Sequence, residues 1–197
     1  MPRTPEFRLS VNHVSRSVGK DRSASIKSFI DLYHHMEWAD ARLWAALFES
    51  DIARSDEVLH GRFHHNHIVQ HAFLRMWQGD ADDTSFPDFD DAPSLMRYGQ
   101  SSFEQACVYL AAQTEITVSE TMRLPESWLA MISEQLGQKP ELSTIAETML
   151  QVVLHTTHHR GQISARLREL GVAPPTVDYI TWVWLGRPAV AWPEPTS

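Results

Sequence analysis

The longest helical pattern in the chain constrains the fold most strongly. From about Ser143 to Leu170, apolar residues recur at spacings of three, four and seven, which predicts one long helix with a single buried face. Thr144 followed by Glu147 is a capping box at its start, and Gly171 marks its end. The chain is therefore organised around an amphipathic helix late in the sequence.

Two histidines lie one turn apart on this helix. His155 and His159 share a face, so their imidazoles can bind one metal ion together. His159 falls just inside the edge of the apolar arc and His155 just outside it, whereas His158 points about 100° further round, toward solvent. The spacing is also compatible with ordinary polar residues flanking a helix. A metal site therefore needs a third ligand from another part of the chain.

A second predicted helix, over about residues 56–78, carries five of the eleven histidines. A stripe along one border of its apolar arc consists of His60, His64, His67 and His71. His65 faces the other way. His67 lies nearest the centre of the arc, so we predict that it points inward toward the histidine pair. His64 and His71 stay open as alternatives.

Two further helical patterns complete the set of four predicted long helices. One runs over about residues 23–50 and the other from about Ser94 or Ser101 to Met122. Residues 125–140 are ambiguous and predict a short irregular or hairpin insert before the last helix. Four long helices without a convincing sheet predict an all-α four-helix bundle, in which ligand sites form between facing helices.

Composition restricts the classes of function. The net charge of −8 and the lack of a basic stripe argue against nucleic acid as a partner. No apolar run has membrane-spanning length, and no signal peptide is expected at the N-terminus. The single cysteine excludes an internal disulfide and fits a reducing cytoplasm. We expect a flexible extension over residues 1–22, one bundle domain over 23–190 and a tail over 191–197.

Three polar residues of the predicted helices need an explanation. Glu37 and Asp40 fall on the apolar arc of the first helix, where an unpaired acid would be costly. Either that end of the helix is partly exposed, or one acid accepts a hydrogen bond from a metal-bound histidine. Cys107 lies on the apolar face of the third helix and is predicted to be a small core residue.

Three separated segments carry a resemblance to a known family. They are His155-Thr-Thr-His-His-Arg-Gly-Gln162, the segment from His67 to Gly79, and Trp38-Ala-Asp-Ala-Arg-Leu43. From about Ser25 to Trp184 the chain resembles the DinB-like family, the damage-inducible or YfiT-type metalloenzymes. An Asn is common in that family at the position of Asp40.

This resemblance implies a fold and a metal site. The fold would be a four-helix bundle with an unusual crossed connection, and a divalent metal ion would be bound by His67, His155 and His159. Beyond the resemblance, we expect Glu37, Asp40 or Gln162 to orient ligands or substrate, and Arg160 to engage a carboxylate on the substrate. Zinc is the favoured metal, with nickel or iron as alternatives.

The resemblance also implies an activity. Relatives include thiol-dependent S-transferases and isomerases, such as mycothiol-dependent maleylpyruvate isomerase and bacillithiol transferases. Some carry Glu at the position of His155, so the histidine set does not select a substrate. We therefore expect a metal-dependent enzyme acting on a low-molecular-weight thiol and a small electrophile, in a homodimer. The alternative is a non-catalytic metal-binding stress-response dimer.

Overall fold

A computed structural model of the protein describes residues 25–80 and 85–194. The predicted extension over residues 1–22 and the end of the predicted tail lie outside the described residues. The helices are α1 (Ile26–Phe48), α2 (Asp51–Arg54), α3 (Glu57–Gln78), α4 (Ala92–Ala111), α5 (Glu115–Val118), α6 (Glu126–Leu136), α7 (Ile145–Glu169) and α8 (Tyr179–Trp184). Within the described ranges, the isolated β-bridge between Thr121 and Thr144 is the one β-type pairing. None of the described helices is both long and apolar enough to cross a membrane.

The four long helices form a bundle, which confirms the predicted all-α class. Both α1 and α3 pack against α4 and α7. The consecutive long helices α1 and α3 therefore occupy diagonal corners, and the α1–α4 side lies opposite the α3–α7 side. This arrangement is the crossed connection that the family resemblance implies.

Polar caps set the starts of these helices. The side chains of Ser25, Asp56 and Asp91 accept hydrogen bonds from backbone N–H groups in the first turns of α1, α3 and α4. At the start of α7, the predicted capping box between Thr144 and Glu147 is present in both directions. Gly79 ends α3 in the left-handed conformation, with φ of 79°.

Two apolar cores are separated by a polar layer at mid-height of the bundle. One core contains Met36 of α1 and Leu74 of α3, and the other contains Leu43 and Phe63 of the same two helices. The buried polar side chains that lie between these cores along α1, α3 and α7 are Asp40, Asn66, His67, Gln70, Thr156 and Arg160. This layer determines where several predicted site residues point.

Two segments differ from the sequence prediction. The third long helix ends at Ala111 rather than near Met122, because the Thr114 side chain caps a new short helix, α5, through its own capping box. The insert over residues 125–140 contains helix α6 instead of a hairpin. Gly137 ends α6 at φ of 68°, and none of the residues of α6 is buried.

Candidate metal centre

Three histidines converge on the surface between α3 and α7. The Nε2 atoms of His65 and His155 lie 3.2 Å apart. The ring centroids of His155 and His159 are 4.3 Å apart, and those of His65 and His159 are 4.6 Å apart. With zinc–nitrogen bonds of about 2.0–2.1 Å, two ligands of a tetrahedral ion are separated by about 3.3 Å. The His65–His155 spacing therefore suits a shared divalent ion.

Polar contacts along α3 and α7 hold the two helices in register. Near one end, the Arg166 guanidinium donates to both carboxylate oxygens of Asp56, at 3.2 and 2.7 Å. Further along, Arg62 donates to the backbone carbonyl of Gln162. The next contact in this order is that of His65 with the histidine pair. These successive contacts along one edge of the antiparallel pair place His65 of α3 beside α7.

The protonation of the histidines suits metal binding. Partial burial, together with His159, His65 and His158, lowers the pKa of His155 to about 4. Partial burial also lowers the pKa of His159, although its hydrogen bond to Gln162 acts in the opposite direction. Both rings are therefore neutral at neutral pH, and a neutral imidazole is the form that ligates a metal.

Gln162 sets the orientation of His159. The Nδ1–H of His159 donates to Oε1 of Gln162 at 3.0 Å, which leaves the Nε2 lone pair for an ion. The Gln162 amide donates in turn to Nε2 of His158 at 2.8 Å. Metal-binding histidines commonly hold their second nitrogen in this way. The donor set and its supporting contact therefore fit a divalent ion.

The structure does not bring His67 to the histidine pair. Its ring is fully buried in the polar layer, where the indole N–H of Trp44 donates to Nε2 at 3.0 Å. Its Nδ1–H donates to Oε1 of Gln70 at 2.8 Å. Because both ring nitrogens already have partners inside the bundle, His67 has no lone pair directed at His155 or His159. In the structure His65, and not His67, lies beside His155 and His159.

The remaining histidines of the predicted stripe have a structural task. His60, His64 and His71 donate from Nε2 to the backbone carbonyls of residues 89, 87 and 98, at 2.9, 2.9 and 2.8 Å. They fasten the segment that leads into α4, and the first turns of α4, to α3. Neither His64 nor His71, the two alternatives to His67, belongs to the cluster.

Asp40 and Arg160 form a buried ion pair across the bundle. Their side chains are 1% and 3% exposed, and Arg160 Nη1 lies 3.3 Å from Asp40 Oδ1. The other carboxylate oxygen of Asp40 accepts from the amides of Gln70 and Asn66, at 2.9 and 3.3 Å. Both acid and base are thus satisfied within the polar layer, away from the histidine cluster.

Of the four residues predicted to support the metal site, Gln162 contacts the cluster and the other three lie elsewhere. Asp40 and Arg160 belong to the polar layer. Glu37 lies between α1 and α4 and accepts a hydrogen bond from the indole of Trp192 at 3.1 Å. Partial exposure, the first explanation for the two acids, therefore applies to Glu37, which is half-buried. Asp40 is instead buried and paired with Arg160.

The structure places His65 and Arg62 beside the histidine pair, which the sequence analysis did not predict. Both lie at the border of the α3 face that packs on α7, outside the apolar arc. A signal was available: His155 and His159 themselves fall at the edge of their own arc. A pair at the edge of one helix meets residues at the edge of the neighbouring helix, so an exposed histidine was a better candidate than the most inward one.

A cavity among the described residues lies along the other edge of α7. It has a volume of about 480 Å³ and is lined by His35, Thr157, Arg160 and Tyr179, among others. No member of the histidine cluster lines it. The cluster therefore opens to the outer groove between α3 and α7 and not into this cavity.

Comparison with known families settles the classification of the chain. The family model described as the DinB family matches residues 25–189, which is most of the sequence. The chain belongs to the DinB family. None of the curated proteins matches it. In this DinB protein, the histidine cluster contains two of the residues in the segment that carried the resemblance, and takes its third from α3.

Proposed function

We propose that this DinB protein is a divalent-metal-dependent enzyme whose ion is held by His65, His155 and His159. The observation that carries the proposal is the convergence of these three ring nitrogens, whose ligand atoms all lie within 4.8 Å of one another. Among the described residues the group contains three ligands, and His65 is exposed. A divalent ion with three protein ligands retains an open position, as catalytic zinc sites do.

We further propose that the reaction is a thiol-dependent S-transfer or isomerisation with a small electrophile. An ion at this site would lower the pKa of a coordinated thiol or water and so supply a nucleophile at neutral pH. Zinc is the preferred ion, because three neutral imidazoles suit it, with nickel or iron as alternatives.

The chain's own residues would position the reactants. Gln162 holds His159 with its Nε2 toward the ion site. The Arg62 guanidinium lies close enough to His159 to contribute to its lowered pKa. It donates one N–H to the Gln162 carbonyl and has further N–H groups to bind a carboxylate on the thiol or its acceptor. Arg62 thus takes the anion-binding role expected of Arg160, whose guanidinium pairs with Asp40.

A second candidate function is a non-catalytic metal-binding stress-response dimer. The observation that favours it is the position of the 480 Å³ cavity, which does not adjoin the histidine cluster. Enzymes commonly bind small substrates in such a concavity. Both candidates share the homodimer, which remains a proposal, as does a cytoplasmic location. Light scattering over a wide concentration range would test the dimer, and a monomer mass throughout would contradict it.

A thiol-consumption screen separates the two functions. Untagged protein is loaded with zinc and assayed with low-molecular-weight thiols and small electrophiles, beside Arg62→Ala and His65→Ala variants. The enzyme predicts turnover that His65→Ala abolishes and that Arg62→Ala weakens mainly through KM for a carboxylate-bearing substrate. Tight zinc binding without turnover of any thiol would favour the non-catalytic protein.

A further inference from the structure

A second group of metal-ligating side chains lies on the opposite side of the bundle, between α1 and α4. His34 and Glu37 are three residues apart on α1 and so share one face of that helix. Cys107 faces them from α4. The ligand atoms of the imidazole, the carboxylate and the thiol all lie within 4.8 Å of one another.

The chemistry of this trio suits a borderline divalent ion. Thiolate, imidazole and carboxylate are the three side-chain ligands that zinc uses, with bonds of about 2.3, 2.0–2.1 and 2.0–2.2 Å. Such bonds place the ligand atoms of a tetrahedral ion about 3.3–3.6 Å apart. The ligand atoms of the trio, at most 4.8 Å apart, lie no more than about 1.5 Å above that range. His34 is exposed and the other two residues are half-buried, so an ion can enter from solvent.

Neighbouring groups prepare the site for a cation. The Trp192 indole donates to Oε1 of Glu37 at 3.1 Å, which fixes the carboxylate and leaves Oε2 for an ion. Glu104 also lies close enough to interact electrostatically with Glu37, and its carboxylate adds negative charge beside the site.

We propose that His34, Glu37 and Cys107 form a second divalent-metal site that takes zinc or cobalt through one nitrogen, one oxygen and one sulfur. The site links α1 to α4 and, through Trp192, to the C-terminal segment. It is separate from the histidine cluster, because the α1–α4 side of the bundle lies opposite the α3–α7 side. It does not depend on the proposed enzyme function.

Cobalt spectroscopy tests this site directly. Because Cys107 is the only cysteine in the sequence, a thiolate-to-cobalt charge-transfer band in the near ultraviolet can arise only from this residue. Reduced, untagged protein is titrated with Co²⁺ without oxygen. We expect this band, with two ions per chain in the wild type and one in Cys107→Ala. The His65→Ala variant should keep the band, which separates this site from the histidine cluster.

The variants of the other two ligands decide whether the site is built or adventitious. His34→Ala and Glu37→Gln should each weaken the cobalt affinity of the thiolate site at least about tenfold. Glu37→Gln keeps an oxygen that accepts from Trp192, and far-ultraviolet circular dichroism checks the fold of each variant. No charge-transfer band in the wild type would overturn the proposal. A band of equal affinity in His34→Ala and Glu37→Gln would also overturn it, because the cysteine would then bind cobalt alone.

Discussion

Replacing Gly99 with alanine should destabilise the protein, although alanine is the better helix former. A Cβ atom at this buried position in α4 would lie 2.3 Å from Cε1 of His67 and 2.5 Å from both ring nitrogens. Real Cβ contacts are not that short, so the ring must move. Trp44 and Gln70 hold both nitrogens of the ring, so movement breaks buried hydrogen bonds.

The magnitude follows from opposing contributions. Alanine in a helix gains about 0.8–1.0 kcal/mol over glycine. Each buried polar group left without its partner costs about 1–3 kcal/mol. With two hydrogen bonds lost, Gly99→Ala should lower the free energy of unfolding by a net of about 1–5 kcal/mol. For a domain of this size, the Tm would fall by roughly 2–20 °C.

Urea denaturation of the metal-free protein measures this change. Gly61→Ala is the matched control, because Gly61 is exposed in α3 and an added Cβ meets nothing within 4 Å. The control should be stabilised by up to about 1 kcal/mol. Equal stabilisation by both substitutions would refute the close packing of His67 on Gly99, and with it the structural role of His67.

Three further predictions concern the polar layer, His71 at the contact with α4, and the histidine cluster. Asp40→Ala leaves Arg160 buried without its counter-ion and should cost about 3–5 kcal/mol in urea denaturation; a loss under about 1 kcal/mol would contradict the buried pair. Burial lowers the pKa of His71 from 6.5 to about 4, so the unfolded chain binds a proton before the folded one does. With chelator present, stability should therefore fall as the pH drops from 6.5 toward 4, and His71→Gln should flatten that slope; an unchanged slope would exclude His71 as a source. Gln162→Ala should weaken zinc binding about 10–100-fold, because His159 loses the partner that orients it, and competition with a chelating dye measures this affinity.

The four-helix bundle can be predicted from the sequence because the patterns that encode its helices are local. The period of the apolar residues predicts the four long helices, and the Thr144–Glu147 capping box and Gly171 predict the two boundaries of the last one. The pair of His155 and His159 is likewise a local pattern, since one turn of helix brings the two rings together. These features need no knowledge of the neighbouring helices.

Which residues meet at the site depends on how the helices are rotated against each other. This rotation cannot be read from local sequence patterns. His67 is the most inward histidine of α3. For that reason its two ring nitrogens form hydrogen bonds with Trp44 and Gln70 in the polar layer. His65 lies outside the apolar arc but reaches α7 across the surface groove. The close approach of Gly99 to His67 is equally a tertiary contact, which no local pattern predicts.

The metal content of two variants tests the central claim most directly. His65→Ala and His67→Gln are prepared without a tag in a Cys107→Ala background, so that the second proposed site is removed, and are loaded with zinc, dialysed and analysed by mass spectrometry. We predict that His67→Gln retains about one zinc ion per chain and that His65→Ala loses it. Retention of zinc by His65→Ala together with its loss from a folded His67→Gln would contradict the assignment of His65, His155 and His159.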